Sequence, residues 1–223
     1  MKMMQMNEIF VGDCLDFLRS LDDKSVDLVF SDPPYNVKKD YGTYKDDRPA
    51  DEYVKWMDDI LCECRRISRR GILIYVGSKL TKMFFDLMPE AHLIPVHKRA
   101  AGVFSGNYML QYHSLFAEAR PVKKVKDLWD DIRLPGEGYF FREKRYPHPG
   151  LTSELLTDKV LAHWTLEGEI VCDPFMGTGT TAVSCRKVNR NFIGSELNPE
   201  YVEIARKRLE EVENTRNLQE TPA

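Results

Sequence analysis

Three acids and a tyrosine stand where proline and glycine would present them at strand ends. Residues 31–36 read SDPPYN, directly after the apolar run VDLVF at 26–30. Pro33 and Pro34 have fixed φ and no amide donor, so a strand must end there in a turn. The turn leaves Asp32 and Tyr35 unexplained. A carboxylate and an aromatic ring on a rigid turn can accept N–H groups and stack on a planar ligand. A second segment, EIVCDPFMGTGTT at 169–181, reads as a strand, an acid (Asp173) and a Gly-x-Gly turn opening a helix. Gly177 and Gly179 let a backbone approach a ligand closely, and the helix start offers amides to an anion. Glu196 follows about 23 residues after Asp173, at the exit of the next strand, where an acid can accept from ribose hydroxyls. The third glycine of a dinucleotide fingerprint is missing, because Thr180, Thr181 and Ala182 occupy the helix start. A nucleoside cofactor whose anion is an amino-acid carboxylate therefore fits better than a pyrophosphate. A helix-opening turn without a ligand is the plain alternative.

The elements that must position these residues alternate. Leu15, Leu18 and Leu21 have helical spacing after Gly12-Asp13, and VDLVF is a strand. Residues 36–50 are polar and Gly/Pro-punctuated, a long surface loop of the kind that is often functional. Tyr53, Met57, Ile60, Cys64 and Ile67 mark an amphipathic helix ending in an arginine-rich turn before Gly71. ILIYV at 72–76 is a strand, 80–88 a short helix, and 92–98 and 110–118 two more strands. After a basic stretch come a helix over 153–164, strand EIVCD, the turn and helix of GTGTTAVSCRKV, strand NFIGSE and a terminal helix. Asn198 caps that last helix, Pro199 takes its first position, and Glu203 is spaced to pair with Lys207. Such alternation predicts an α/β fold with a doubly wound, mostly parallel sheet, and one domain over residues 1–223.

Composition excludes several classes. The chain has 223 residues, a net charge of −3 and 43% hydrophobic residues, an ordinary globular balance. A nucleic-acid partner must then be met by local basic patches rather than by an overall positive field. MKMMQMNEIF is too short and polar for a signal peptide and no run is long and apolar enough for a membrane span, so a cytoplasmic protein is expected. Cys14, Cys62, Cys64, Cys172 and Cys185 have no paired spacing and read as reduced thiols, with no metal site.

SDPPY at 31–35 together with DPFMGTGTT at 173–181 resembles the amino-group DNA methyltransferases that use S-adenosylmethionine. In that family a D-P-P-Y motif is catalytic and an F-x-G-x-G motif binds the cofactor. Catalytic motif first and cofactor motif last is similar to the permuted β group; glutamine and ribosomal methyltransferases with a related tetrapeptide show the opposite order. The resemblance implies a Rossmann-like class I methyltransferase fold with one antiparallel strand. It implies catalytic roles for Asp32, Pro33, Pro34 and Tyr35. The implied cofactor residues are Asp13 and Cys14 at the adenine, Asp32, Thr152 or Ser153 after His148-Pro149, Asp173, Phe175, Gly177, Gly179, Thr180 and Thr181 in the turn, and Glu196 with Asn198 at the ribose.

A base's exocyclic amine is a poor nucleophile because its lone pair is delocalised into the ring. The Asp32 carboxylate and Pro33 carbonyl, placed around its N–H groups, favour a pyramidal nitrogen, and Tyr35 stacks on a base that has left the duplex. The resemblance also implies the target: cytosine-N4 members of that family more often have Ser where this chain has Asp32, so adenine N6 is expected, with cytosine N4 as the alternative and a non-catalytic cofactor- or DNA-binding subunit as an alternative of another kind. Lys38, Lys39, Tyr41, Tyr44 and Lys45 leave the reaction centre and are the DNA-binding candidates. Residues 119–147, basic and interleaved with Trp129, Tyr139, Phe140, Phe141 and Tyr146, are either a connector or a reduced target-recognition segment. So small a segment implies a short or degenerate site, a homodimer, or a partner chain that supplies specificity.

Overall fold

A computed structural model describes residues 5–40, 42–97, 103–105, 108–110, 112–130, 132 and 152–220. The elements are β1 (Glu8–Val11), α1 (Cys14–Arg19), β2 (Leu28–Ser31), α2 (Ala50–Ile67), β3 (Gly71–Gly77), α3 (Thr81–Leu87), β4 (His92–His97), β5 (Val103–Ser105), β6 (Tyr108–Leu110), β7 (Tyr112–Ala119), α4 (Glu154–Trp164), β8 (Ile170–Asp173), α5 (Thr180–Lys187), β9 (Asn191–Glu196) and α6 (Pro199–Glu220). Seven strands form one sheet in the order β1-β9-β8-β2-β3-β7-β4, and β5 with β6 forms a separate hairpin. Within the seven-stranded sheet only β7 runs against the others, antiparallel to both β3 and β4. The doubly wound sheet with one antiparallel strand is thus as expected. Strand β1 and the β5–β6 hairpin have no counterpart in the sequence reading, since each is too short to build an alternating pattern.

Each face of the sheet has its own core. Phe17 and Leu18 of α1, the Tyr53–Met57–Ile60–Cys64–Ile67 stripe of α2 and Phe84 of α3 pack on one face. Leu156, Val160, Leu161 and Trp164 of α4, Ala182 and Cys185 of α5, and Val202 and Ala205 of α6 pack on the other. Central strands β2 and β3 are buried almost throughout, which is why they read as continuous apolar runs rather than alternating ones. Gly71 has φ +125°, and a Cβ there would lie 1.9 Å from the Glu118 carbonyl oxygen, so only glycine can start β3 against β7.

In the first part of the basic stretch Trp129 and Ile132 join the core, while Arg120, Lys123, Lys124 and Lys126 are exposed. Trp129 is fully buried against Trp164, with the Lys159 ammonium 4.6 Å from its ring centre. Its backbone bonds Pro95 and His97 and so extends the sheet beyond β4. Residues 133–147, with Tyr139, Phe140, Phe141 and Tyr146, lie outside the described residues. At the C-terminal helix, Asn198 Oδ1 accepts the Glu200 amide as expected of a cap, whereas Glu203 pairs with Arg206 rather than Lys207. Among the described residues all five cysteines are free, no cluster could hold a metal, and no helix is long and apolar enough to cross a membrane.

Candidate active site

Strands β2 and β8 are hydrogen-bonded neighbours, Val29 opposite Cys172, so the tetrapeptide and the Gly-x-Gly turn leave the sheet side by side. The chain winds outward from this pair in both directions, the switch point where open α/β sheets bind ligands. The strand pairing also brings together two acids far apart in sequence. Asp173 is buried; its Oδ1 accepts Ser31 Oγ at 3.1 Å and the Phe175 amide at 3.0 Å, and its Oδ2 accepts Thr181 Oγ1 at 2.6 Å. Burial outweighs these donors and pushes the carboxyl up to about 6. Asp173 and Thr181, both expected at the cofactor, bond each other, and Ser31 with Asp173 ties the turn to the end of β2.

The two glycines have different duties. Gly177 has φ +52° and donates its amide to Glu196 Oε2 at 2.9 Å. Gly179 has φ +85° and lies against α6: a Cβ would sit 2.6 Å from that of Ala205. Gly179 thus lets α6 approach the turn closely, and Thr180 is buried beside it. Glu196 Oε1 accepts the Asn198 amide at 2.8 Å, and burial still raises this carboxyl above its usual range. The carboxylate has four lone pairs and the Asn198, Gly177 and Leu197 amides engage three, so capacity for a further donor remains. Asp13 caps α1, its Oδ1 accepting the Leu15 and Asp16 amides at 2.8 and 3.3 Å. Next to it the Cys14 thiol is pushed up to about 12 by burial and the Asp13 charge, which keeps it neutral.

Asp32 follows the last residue of β2, close enough to feel the Asp173 charge. Its Oδ1 accepts the Tyr35 hydroxyl at 2.5 Å and its Oδ2 accepts Thr152 Oγ1 at 2.7 Å. Burial, only partly offset by these two donors, raises the carboxyl to about 6. Between Thr152 and Ser153 it is Thr152 that faces the centre; Ser153 is buried, its carbonyl accepting the Thr157 amide and hydroxyl inside the first turn of α4. Tyr53 of α2 donates to the Pro34 carbonyl at 2.6 Å, fixing the second proline from below. The Tyr35 ring lies over Gly77 and edge-on to His113, whose ring is in turn 5.0 Å from that of Tyr75.

The loop after the tetrapeptide is ordered rather than open coil. Asp46 is fully buried and accepts the Asn36 and Val37 amides, while the Asn36 amide group bonds both the N–H and the C=O of Arg48. Asp40 and Lys45 face each other in an isolated antiparallel bridge across the loop. Tyr44, a DNA candidate, turns inward onto Trp56 at 6.2 Å, with the Arg48 guanidinium 4.7 Å from the Trp56 ring centre. Lys38 is exposed and pairs with Asp47, Lys45 is exposed, Lys39 is half-buried, and Tyr41 lies outside the described residues. Trp56 meets Phe175 edge-on at 5.7 Å, and a Cβ on Gly42 would lie 3.1 Å from Asn198 Nδ2. The loop consequently leans over the turn and Glu196. Trp56, Arg48 and Asp46 were not singled out from sequence: Trp56 lies off the buried stripe of its helix, and the other two are single charges in a charged loop.

A seven-stranded sheet of this order, with a carboxylate-bearing D-P-P-Y turn beside a glycine turn and an acid at the next strand exit, defines a Rossmann-like protein of methyltransferase type. Residues 26–101 and 117–207 match the N6/N4 methyltransferase family, described as DNA methylase. The chain belongs to this family of DNA methylases. It is 27% identical to the type II methyltransferase M.HpaI of Haemophilus parainfluenzae, over 91% of this chain and 74% of that one. It is 24% identical to the DNA adenine methyltransferase YhdJ of Escherichia coli K12, over 91% of this chain and 82% of that one. The M1.HpyAVI–SAM complex shares the fold with a TM-score of 0.63 and 23% identity, over 91% of this chain and 98% of that one.

Proposed function

We propose that this protein methylates the N6 amine of adenine in DNA with S-adenosylmethionine as donor. The observation that carries the reading is the Asp32 carboxylate, held at the switch point by Tyr35 and Thr152 beside the Gly177–Glu196 turn. The family, the adenine activity named for YhdJ and the SAM complex of M1.HpyAVI support it. The donor set suits such a cofactor. Glu196, pre-oriented by backbone amides, has acceptor capacity left for a ribose hydroxyl, and Asp13, Phe175 and Asn198 are the further residues we assign to the cofactor. When bound, the cofactor supplies an electrophilic methyl group on a sulfonium.

The chain's own residues do the rest. Asp32, ionised, accepts one N–H of the target amine, and the Pro33 carbonyl accepts the other, so nitrogen lone-pair density is drawn out of the ring. The Tyr53 hydroxyl holds the Pro34 carbonyl, which keeps the turn rigid behind Asp32. Tyr35 leaves Asp32 Oδ1 as the amine arrives and lies along the extruded base, and Thr152 keeps Oδ2 in place. Transfer needs orientation and no covalent enzyme intermediate. Exposed Lys38 and Lys45, in the loop after the tetrapeptide, are the described candidates for phosphate contacts. The test is incubation with methyl-labelled cofactor and mixed-sequence DNA, then nucleoside mass spectrometry. Label in N6-methyladenine is expected; label in N4-methylcytosine alone would reverse the base, and no label would favour a non-catalytic subunit.

A further inference from the structure

We propose that Arg208 is a positioning residue for methyl transfer, its guanidinium clamping the glycine turn to the segment that holds the catalytic carboxylate. The inference rests on the methyltransferase reading. Arg208 lies in α6 with its side chain only 6% exposed, a rare place for an arginine unless it is paired. Its Nη1 donates to the Thr178 carbonyl at 2.6 Å, and its Nη2 donates to Glu154 Oε1 at 2.7 Å. Thr178 is the residue between Gly177 and Gly179, so its carbonyl fixes the Thr178–Gly179 peptide of the same turn whose Gly177 amide is on Glu196. Glu154 opens α4 two residues after Thr152, whose hydroxyl holds Asp32 Oδ2.

One guanidinium therefore joins the turn expected to receive the cofactor to the segment that orients the amine acceptor. Ala205, one helical turn earlier, presses on Gly179 where no Cβ fits, so α6 meets the turn at both ends. The fork geometry matters, because two separate nitrogens reach two partners that lie in different segments; a lysine offers one point charge. Glu154 also accepts Lys187 at the end of α5. Burial alone would raise the Glu154 carboxyl, but Lys187 and Arg208 outweigh it and hold it low, so the clamp stays charged at neutral pH.

The experiment uses the full chain with Arg208→Lys, Thr152→Val and the double variant, measuring cofactor affinity by calorimetry, kcat and KM on DNA, and melting temperature. Arg208→Lys should weaken cofactor affinity and lower kcat, each by about tenfold, the effect of losing one hydrogen bond to a charged group. Because both substitutions loosen the same carboxylate, their effects on kcat should be less than multiplicative. Arg206→Lys, on the same helix beside Glu203 in solvent, serves as the control with unchanged kinetics. If Arg208→Lys lowers only the melting temperature, or if the kcat effects multiply, Arg208 merely holds helices together and the proposal fails. Should Arg208→Lys not fold, Glu154→Gln at the more exposed end of the pair carries the same cycle. A wild-type chain that binds no S-adenosylmethionine would overturn the underlying reading instead, and the same calorimetry reveals it.

Discussion

Replacing Asp32 by Asn separates what this carboxylate does for the reaction from what it does to the fold. The side chain keeps its shape, and the Tyr35 and Thr152 hydroxyls can each donate or accept, so both contacts have a partner in the amide. The folded protein raises this carboxyl from 3.8 to about 6, chiefly through burial. A raised acid binds its proton more tightly in the folded state, so its contribution is most favourable below pH 3.8 and is lost as pH rises through about 6. At neutral pH the ionised form costs the fold about 3 kcal/mol. The neutral amide is free of that cost, and for a chain of this size about 1 kcal/mol moves the melting temperature by roughly 2–4 °C. Asp32→Asn should therefore melt several degrees higher than wild type at pH 7.5 and almost together with it near pH 4. Turnover should fall at least 10- to 100-fold, since a charged acceptor in the transition state is worth about 1.5–3 kcal/mol. Wild-type activity should rise with pH through about 6 as Asp32 ionises. Scanning calorimetry at the two pH values, with turnover on DNA, tests both halves. A substituted chain that is no more stable than wild type at pH 7.5, or that turns over normally, refutes the reasoning.

Glu196→Ala should weaken cofactor affinity by about 10- to 100-fold, because the Gly177 and Asn198 amides lose their acceptor together with any ribose contact. An unchanged dissociation constant in calorimetry would remove Glu196 from the site. Gly179→Ala should destabilise the chain by more than about 1 kcal/mol, as both φ +85° and the 2.6 Å approach to Ala205 oppose a methyl group. A melting curve equal to wild type would show that α6 can shift.

Much of the site was legible because short motifs carry their own backbone chemistry. Two prolines must end β2 and so expose Asp32 and Tyr35; a positive-φ Gly177 must turn before α5; Asn198-Pro199 must open α6. What the sequence did not show are the contacts made by neighbours from elsewhere in the chain. Ser31 arrives from an adjacent strand and donates to Asp173. Ala205 of the last helix packs against Gly179. Tyr44 stacks on Trp56, in a loop whose buried anchor, Asp46, looks from sequence like any surface acid.

The sequence by itself determined the order of helices and strands, the places where strands must end, and the family. These follow from hydrophobic period, capping and φ restriction, which act over a few residues. The tertiary structure decided that β2 lies beside β8, that Thr152 rather than Ser153 meets Asp32, and that Arg208 reaches from the last helix to both loops. Strand order and the pairing of buried polar groups depend on which surfaces meet when both faces of the sheet are covered. That choice belongs to the packed core and is written in no local stretch of chain.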